Sequence, residues 1–277
     1  MKHLEDKFKG FKNLSLYYQY WLPASKAKAI LLIVHGLAEH SGRYLNLVNH
    51  FVARGYAVYG FDQRGHGKSP GLRGHVKQFS CFVNDVKIFL GIIRSQHHDT
   101  RIFMVGHSVG GTIATAYAVH HQDKFDGLIL SGATLKTGAS ISSGLIIIAR
   151  ALSLVLPKIG LYNIDASAIS QDKAVVAAYV NDPLVYRGKV RARLGSELIK
   201  TLEILPRQMS NIYLPLLIMH GTADRLSDPK GSQLLYDRVS SKDKTLHLYD
   251  DFYHEIFNEP GRAQVFADME AWLASRI

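Results

Sequence analysis

Six apolar runs recur along this chain, each closing around Gly, His or Asp: AILLIVHG (29–36), YAVYGFD (56–62), RIFMVG (101–106), GLILSGA (127–133), PLLIMHG (215–221) and TLHLYDD (245–251). Val, Ile and Leu without polar alternation suit strands buried on both faces, as in parallel sheets covered by helices on each side. Segments of helical character stand between the runs, so the chain is predicted to fold as an α/β protein with a mostly parallel central sheet. LSLYYQYWLP (14–23) alternates instead and predicts an antiparallel start. The residues at the carboxyl ends of the runs matter most for function, because open α/β sheets assemble their sites in the crevice beyond those ends.

This rhythm breaks between 134 and 211. IIIARALSLV, QDKAVVAAYV and ARLGSELIKTLEIL read as helices there, with no clear strand. A helical cap (lid) inserted at 134–211 is therefore expected, on a core built from 1–133 and 212–277. At 277 residues and 47% hydrophobic the chain can bury such a core. The most apolar stretch, SGLIIIARALSLVLPKIGL (143–161), has the length of a membrane span, but Arg150 divides it and Pro157 with Lys158 ends it. An amphipathic or buried helix is the expectation. The net charge of +10 is spread over single basic residues with no run resembling a nucleic-acid arm, so no nucleic-acid partner is expected. Weak attraction to acidic lipid headgroups and a merely solvated basic surface both fit that charge. One cysteine, Cys81, excludes an internal disulfide, and the charged N-terminal segment lacks the apolar core of a signal peptide, which points to the cytoplasm.

Residues 106–111 read GHSVGG, directly after an apolar run and before the helix-like GTIATAYAVHH. Strand, G-x-S-x-G, helix is the context of a nucleophile elbow: a sharp turn exposes the serine hydroxyl, with a helix N-terminus beneath it. Ser108 is thus the candidate nucleophile. A serine hydroxyl needs a base, and the base needs a carboxylate to fix its tautomer. Among 14 histidines, position selects His254, just after the last predicted strand. His66, His75, His107 and His220 read as structural. Asp224, in the loop GTADRLSD after PLLIMHG, completes the chain order Ser, Asp, His found in hydrolases of this architecture, with Asp228 its nearest rival and Asp250 and Asp251 more distant ones. Backbone N–H groups of Val109 and Leu37 are the candidate oxyanion donors. No H-E-x-x-H pattern or paired cysteines suggest a metal.

HGLAEHSGRY (35–44), FDQRGHGKSPG (61–71), GHSVGG, NDPLVYRG (181–188), GTADRLSD (221–228) and DFYHEIFNE occur in this order across nearly the whole chain. Together they resemble the monoacylglycerol lipase and lysophospholipase family of serine α/β-hydrolases, the serine aminopeptidase S33-like hydrolases. The resemblance implies a capped α/β-hydrolase fold, no cofactor, and hydrolysis of monoacylglycerols to fatty acid and glycerol through an acyl-serine intermediate. It places Ser108, Asp224 and His254 in the triad and the Leu37 and Val109 amides in the oxyanion hole. It also puts Glu39, Arg43 and Tyr179 near the glycerol end of the substrate, and brings the cap helix at 143–161 to lipid surfaces. Mammalian members carry cysteines near the site where this chain has Tyr186 and Ser227, so thiol sensitivity does not carry over. Lysophospholipase or broad carboxylesterase activity remains the alternative, since the pocket decides the ester. Epoxide hydrolases and haloalkane dehalogenases place an aspartate at the elbow, and a ligand-binding homologue with little turnover is the non-enzymatic reading.

Overall fold

The computed structural model describes residues 1–136 and 143–277, so residues 137–142 of the expected insertion lie outside the described residues. Along the chain run β1 (Lys2–Lys9), β2 (Ser15–Leu22), β3 (Ile30–Val34), α1 (Leu45–Val52), β4 (Ala57–Phe61), α2 (Ser80–Gln96), β5 (Ile102–His107), α3 (Val109–His121) and β6 (Gly127–Ser131). After β6 come α4 (Ser143–Val155), β7 (Gly160–Tyr162), α5 (Lys173–Asn181), β8 (Val190–Arg191) and α6 (Ala192–Ile204). The chain closes with β9 (Leu216–Gly221), α7 (Lys230–Arg238), β10 (Lys244–Tyr249) and α8 (Arg262–Ala274).

Eight strands form one sheet in the order β1-β2-β4-β3-β5-β6-β9-β10. From β4 to β10 the neighbours pair in parallel, and β1 and β2 join antiparallel at one edge. The continuous apolar runs are explained by two cores. Ile30, Leu32 and Val34 of β3 face one core with Phe82, Val86 and Phe89 of α2 and Ile113 of α3. Leu31 and Ile33 face the other, with Leu47 and Phe51 of α1 and Val265, Met269 and Trp272 of α8. Each fully buried aliphatic side chain contributes about 1.5–3 kcal/mol, so a strand buried on both sides is held in the middle of the sheet by its own composition.

Two departures from the sequence expectation concern strands. The charged segment at 2–9 forms β1, paired along its whole length with β2, from Lys2 opposite Leu22 to Lys9 opposite Ser15. It lies at the sheet edge with Phe8 its only buried residue, so the apolar signal of a strand is missing and its lysines blunt the open edge. The stretch between β6 and β9 is not wholly helical either: β7 and β8 pair antiparallel as a separate two-stranded sheet. Runs of three and two residues are too short to give a periodic pattern.

The loops beyond β3 and β4 are fastened to each other by Asp62. Its Oδ1 accepts hydrogen bonds from Ser41 N–H at 2.8 Å and Ser41 Oγ–H at 2.6 Å, and its Oδ2 accepts from Lys68 N–H at 2.7 Å. Asp62 is 1% exposed, so its removal leaves buried donors without partners, each costing about 1–3 kcal/mol. Asp62→Ala is expected to lower the unfolding free energy by about 2–4 kcal/mol. Chemical denaturation checks this, and a loss below about 1 kcal/mol would remove Asp62 as the fastening.

Candidate active site

At the carboxyl end of β5 the chain reverses into α3 through Ser108, whose backbone sits at φ 53° and ψ −124°. That conformation is strained for a residue with a Cβ, and its surroundings hold it. Ser108 N–H donates to the Ser131 carbonyl at 3.1 Å, and the Ser108 carbonyl accepts from Gly111 N–H at 2.9 Å and Thr134 N–H at 3.1 Å. The flanking glycines are steric requirements: a Cβ at Gly110 would stand 2.0 Å from the Val34 carbonyl oxygen, and one at Gly106 would stand 2.8 Å from Gly111 Cα.

Asp224 follows β9 and His254 follows β10, the two strands that close the sheet on the far side of β6. His254 Nδ1–H donates to Asp224 Oδ2 at 2.7 Å. The other carboxylate oxygen accepts from Leu226 N–H at 2.8 Å and Ser227 N–H at 2.9 Å. Burial works against the Asp224 charge, yet the adjacent imidazoles outweigh it and hold the carboxyl well below the usual range. Burial likewise pulls His254 down, but the Asp224 carboxylate, with help from Glu255 and Glu39, leaves it above the ordinary histidine value. His107, its ring centre 4.7 Å from that of His254, is pushed well below by burial and by the neighbouring imidazole, so it stays neutral beside the site.

Ser108 and His254 line one cavity of about 210 Å³, together with Leu37, Val109, Glu39 and Tyr179. Ser108 Oγ lies 3.5 Å from Thr134 Oγ1, which in turn is 2.7 Å from Ser227 Oγ. Among the described residues it makes no hydrogen bond to His254, a common state of catalytic contacts before substrate arrives. The backbone N–H groups of Leu37 and Val109 have no hydrogen-bond partner among the described residues. The apolar part of the lining comes largely from the stretch between β6 and β9: Leu161, Ile164, Leu198, Ile199 and Leu202.

The three residues expected at the glycerol end separate. Glu39 and Tyr179 line the cavity, whereas Arg43 does not. Arg43 Nη2 donates to both oxygens of Glu255 at 2.8 and 2.7 Å, its Nε is 3.5 Å from Glu39 Oε2, and its guanidinium lies 4.7 Å from the centre of the Tyr179 ring. Arg43 therefore reaches the cavity only through the residues it holds. Glu39 also accepts from Tyr44 O–H at 2.6 Å and from Gly36 N–H, and burial beside Glu255 raises its carboxyl above the usual value. Of the aspartate rivals, Asp228 lies 3.5 Å from Lys136, away from the imidazole. Two residues were not singled out from the sequence as parts of the site. Glu255 lines the cavity beside His254, and His220, read as structural, donates from Nε2 to Asp224 Oδ2 at 3.0 Å. Chain adjacency to His254 was a signal for Glu255; for His220, one imidazole among 14, only the four-residue spacing to Asp224 was available.

A hydroxyl on a strained turn, an imidazole locked to a carboxylate, free backbone donors and an apolar cavity are the components that acyl transfer from an ester requires. The family described as serine aminopeptidase, S33, matches residues 25–261. A monoacylglycerol lipase of Mycolicibacterium smegmatis is 37% identical over 99% of this chain and 98% of its own. The chain belongs to the monoacylglycerol lipase family of serine α/β-hydrolases. Two solved monoacylglycerol lipase structures share its fold. The enzyme of Paleococcus ferrophilus superposes with a TM-score of 0.85 at 33% identity, covering 95% of this chain and 99% of that one. A soluble variant from Saccharomyces cerevisiae, in complex with a substrate analogue, gives 0.88 at 28%, covering 98% and 94%.

The charge pattern of this family member's site predicts distinct titrations. In ¹⁵N NMR of the imidazoles, His254 is expected to lose its proton above the ordinary value of 6.5. His35 and His66, driven down to about 3 by burial, are expected to stay neutral through the same range. A His254 titration at or below 6.5 would contradict the dominance of the Asp224 charge.

Proposed function

We propose that the chain hydrolyses monoacylglycerols to fatty acid and glycerol through an acyl-enzyme on Ser108. The observation that carries this reading is the His254–Asp224 pair, with His254 and Ser108 opening onto one cavity lined by both polar and apolar side chains. Ser108 Oγ attacks the ester carbonyl carbon as His254 Nε2 takes the hydroxyl proton, and Asp224 stabilises the imidazolium. The carbonyl oxygen, now negative, receives hydrogen bonds from the Leu37 and Val109 N–H groups. As the intermediate collapses, the carbon–oxygen bond to glycerol breaks and His254 returns the proton to the departing alkoxide. Water, deprotonated by the same imidazole, then attacks the acyl carbon; the bond to Ser108 Oγ breaks, His254 returns the proton to that oxygen, and the fatty acid leaves.

Glu39 and Tyr179 face the glycerol, with Arg43 bracing Glu39 and Glu255 from behind. Residues 134–211 act as the cap, and Leu198, Ile199 and Leu202 of α6 take the acyl chain. Monoacylglycerol lipase is also the name carried by the relatives matched along nearly the full chain. Ser108→Ala is expected to lower kcat by about 10⁴-fold or more, His254→Ala by a similar amount, and the double variant no further, because triad members act as a unit. Fatty acid and glycerol release from a monoacylglycerol series of increasing chain length measures this. Ser108-dependent activity on lysophosphatidylcholine or short esters alone would move the assignment to a lysophospholipase or carboxylesterase. A Ser108 inert to a fluorophosphonate probe would favour the binding protein.

The cap also carries the reading of where the substrate is met. No helix among the described residues is long and apolar enough to cross a membrane. On α4, Ile147, Leu154 and Val155 are 66%, 80% and 73% exposed, and Lys158, Arg191 and Arg193 follow nearby on a chain of net charge +10. Apolar side chains beside basic ones fit peripheral contact with an acidic lipid surface. Leu154→Ser with Val155→Ser is expected to abolish co-sedimentation with vesicles of anionic phospholipid while leaving turnover of a soluble short ester intact. Unchanged co-sedimentation would exclude α4 as the contact.

A further inference from the structure

The acyl-transfer mechanism above gives no part to the buried imidazole that shares Asp224 with His254. His220, on β9, is 0% exposed, and it does not line the cavity. A buried polar side chain has to be satisfied, and both of its ring nitrogens are. Nε2 faces two acceptors, Asp224 Oδ2 at 3.0 Å and the Ser227 carbonyl at 3.2 Å, so it carries the hydrogen. Nδ1 must then accept, and Ser232 Oγ–H, itself buried on α7, donates to it at 2.7 Å. These partners fix a single tautomer.

The geometry of Asp224 gives this tautomer its consequence. Two backbone amides occupy Oδ1, while His220 and His254 donate to the same oxygen, Oδ2. All four of the hydrogen bonds that a carboxylate readily accepts are made. A leucine at 220 would fill the space, but the oxygen that holds the catalytic imidazole would lose its second donor. We propose that His220, set by Ser232, is a positioning residue of the triad: it fixes Asp224 Oδ2 toward His254 and shares the charge with which that oxygen draws the His254 proton. This rests on the triad reading of Ser108, Asp224 and His254.

The sign follows from electrostatics. A neutral N–H donor weakens the pull of a carboxylate oxygen on its other partner, so removing the donor stabilises the imidazolium and delays the appearance of the free base as pH rises. Other groups also face His254: His107 from the end of β5, Glu39 from the loop after β3, and Glu255 beside it in the chain, with Arg43 bridging the two glutamates. None of these contacts passes through His220, so a change at that residue reaches the base through Asp224.

The test is the pH dependence of kcat and kcat/KM on a soluble p-nitrophenyl ester, for the wild type, His220→Leu, His220→Gln and Ser232→Ala. Ser108→Ala is run alongside, and folding is verified by circular dichroism and thermal melting. His220→Leu is expected to move the rising limb of kcat/KM upward by about half to one pH unit. It should lower kcat near neutral pH by up to about tenfold, with KM changing less than about twofold. His220→Gln, whose amide N–H reaches about as far as Nε2, should restore most of the limb. Ser232→Ala should shift it in the same direction by less. A folded Leu variant with an unmoved limb overturns the proposal, and so does a folded Gln variant that behaves like Leu. Should His220→Leu not fold, an unmoved limb in Ser232→Ala overturns it. Wild-type turnover that persists in Ser108→Ala would instead reject the triad reading itself.

Discussion

The Asp224 carboxylate is buried at the end of the sheet and accepts four hydrogen bonds, and the rest of the site is arranged around it. An ion in that position is costly unless every lone pair is used and an opposite charge can form beside it. Those conditions tie three elements together: the loop after β9, whose amides hold one oxygen; β9 itself, through His220; and the loop after β10, through His254. The contacts that make the charge tolerable keep it ionised, and it is the charge itself that lifts the proton affinity of His254. Stability and reactivity here have one physical origin.

The second constraint is steric and belongs to the opposite side of the crevice. Ser108 adopts a strained backbone because β5 must turn into α3 within a single residue, next to the carbonyl oxygen of Val34. Only glycines fit at 106 and 110, and the turn presents the serine hydroxyl and the Val109 amide to the same cavity. Behind the cavity, Arg43 joins Glu39 to Glu255, so the loop after β3 is linked to the loop carrying His254 by a buried charge cluster. Ser108 with the Val109 amide, His254, and the Leu37 amide thus come from three strand ends held to a common frame by short polar contacts.

Much of this frame is legible in the residues themselves. Uninterrupted apolar runs determine that β3, β4, β5, β6 and β9 are buried and parallel, since both faces of each must be covered, whereas the sixth run forms β10, a half-exposed strand at the sheet edge. The strand–glycine–serine–glycine–helix sequence determines the elbow, because no bulkier residue fits the flanking positions. Order along the chain brings Asp224 and His254 forward, as each directly follows one of the last two predicted strands. The helices between β6 and β9 are readable from their composition, and α4, α5 and α6 fall on the three stretches expected.

What only the tertiary structure decided are the features that depend on a neighbour far away in sequence. β1 is a strand because β2 offers it an edge, and its charged, solvent-facing sequence carries no apolar pattern to announce that. Arg43 looks like a cavity residue from its motif, but two buried glutamates, Glu39 four residues away and Glu255 at 212 residues' distance, hold its guanidinium behind the wall. His220 is one of 14 histidines, and nothing in its local sequence states which carboxylate oxygen it shares or with which other imidazole. The sequence determined the buried strands, the turn and the chemical types at the strand ends, because these follow from local sterics and burial. Which polar atoms meet, and how strongly each holds its proton, was decided by folding, because hydrogen-bond geometry and desolvation are properties of the packed interior.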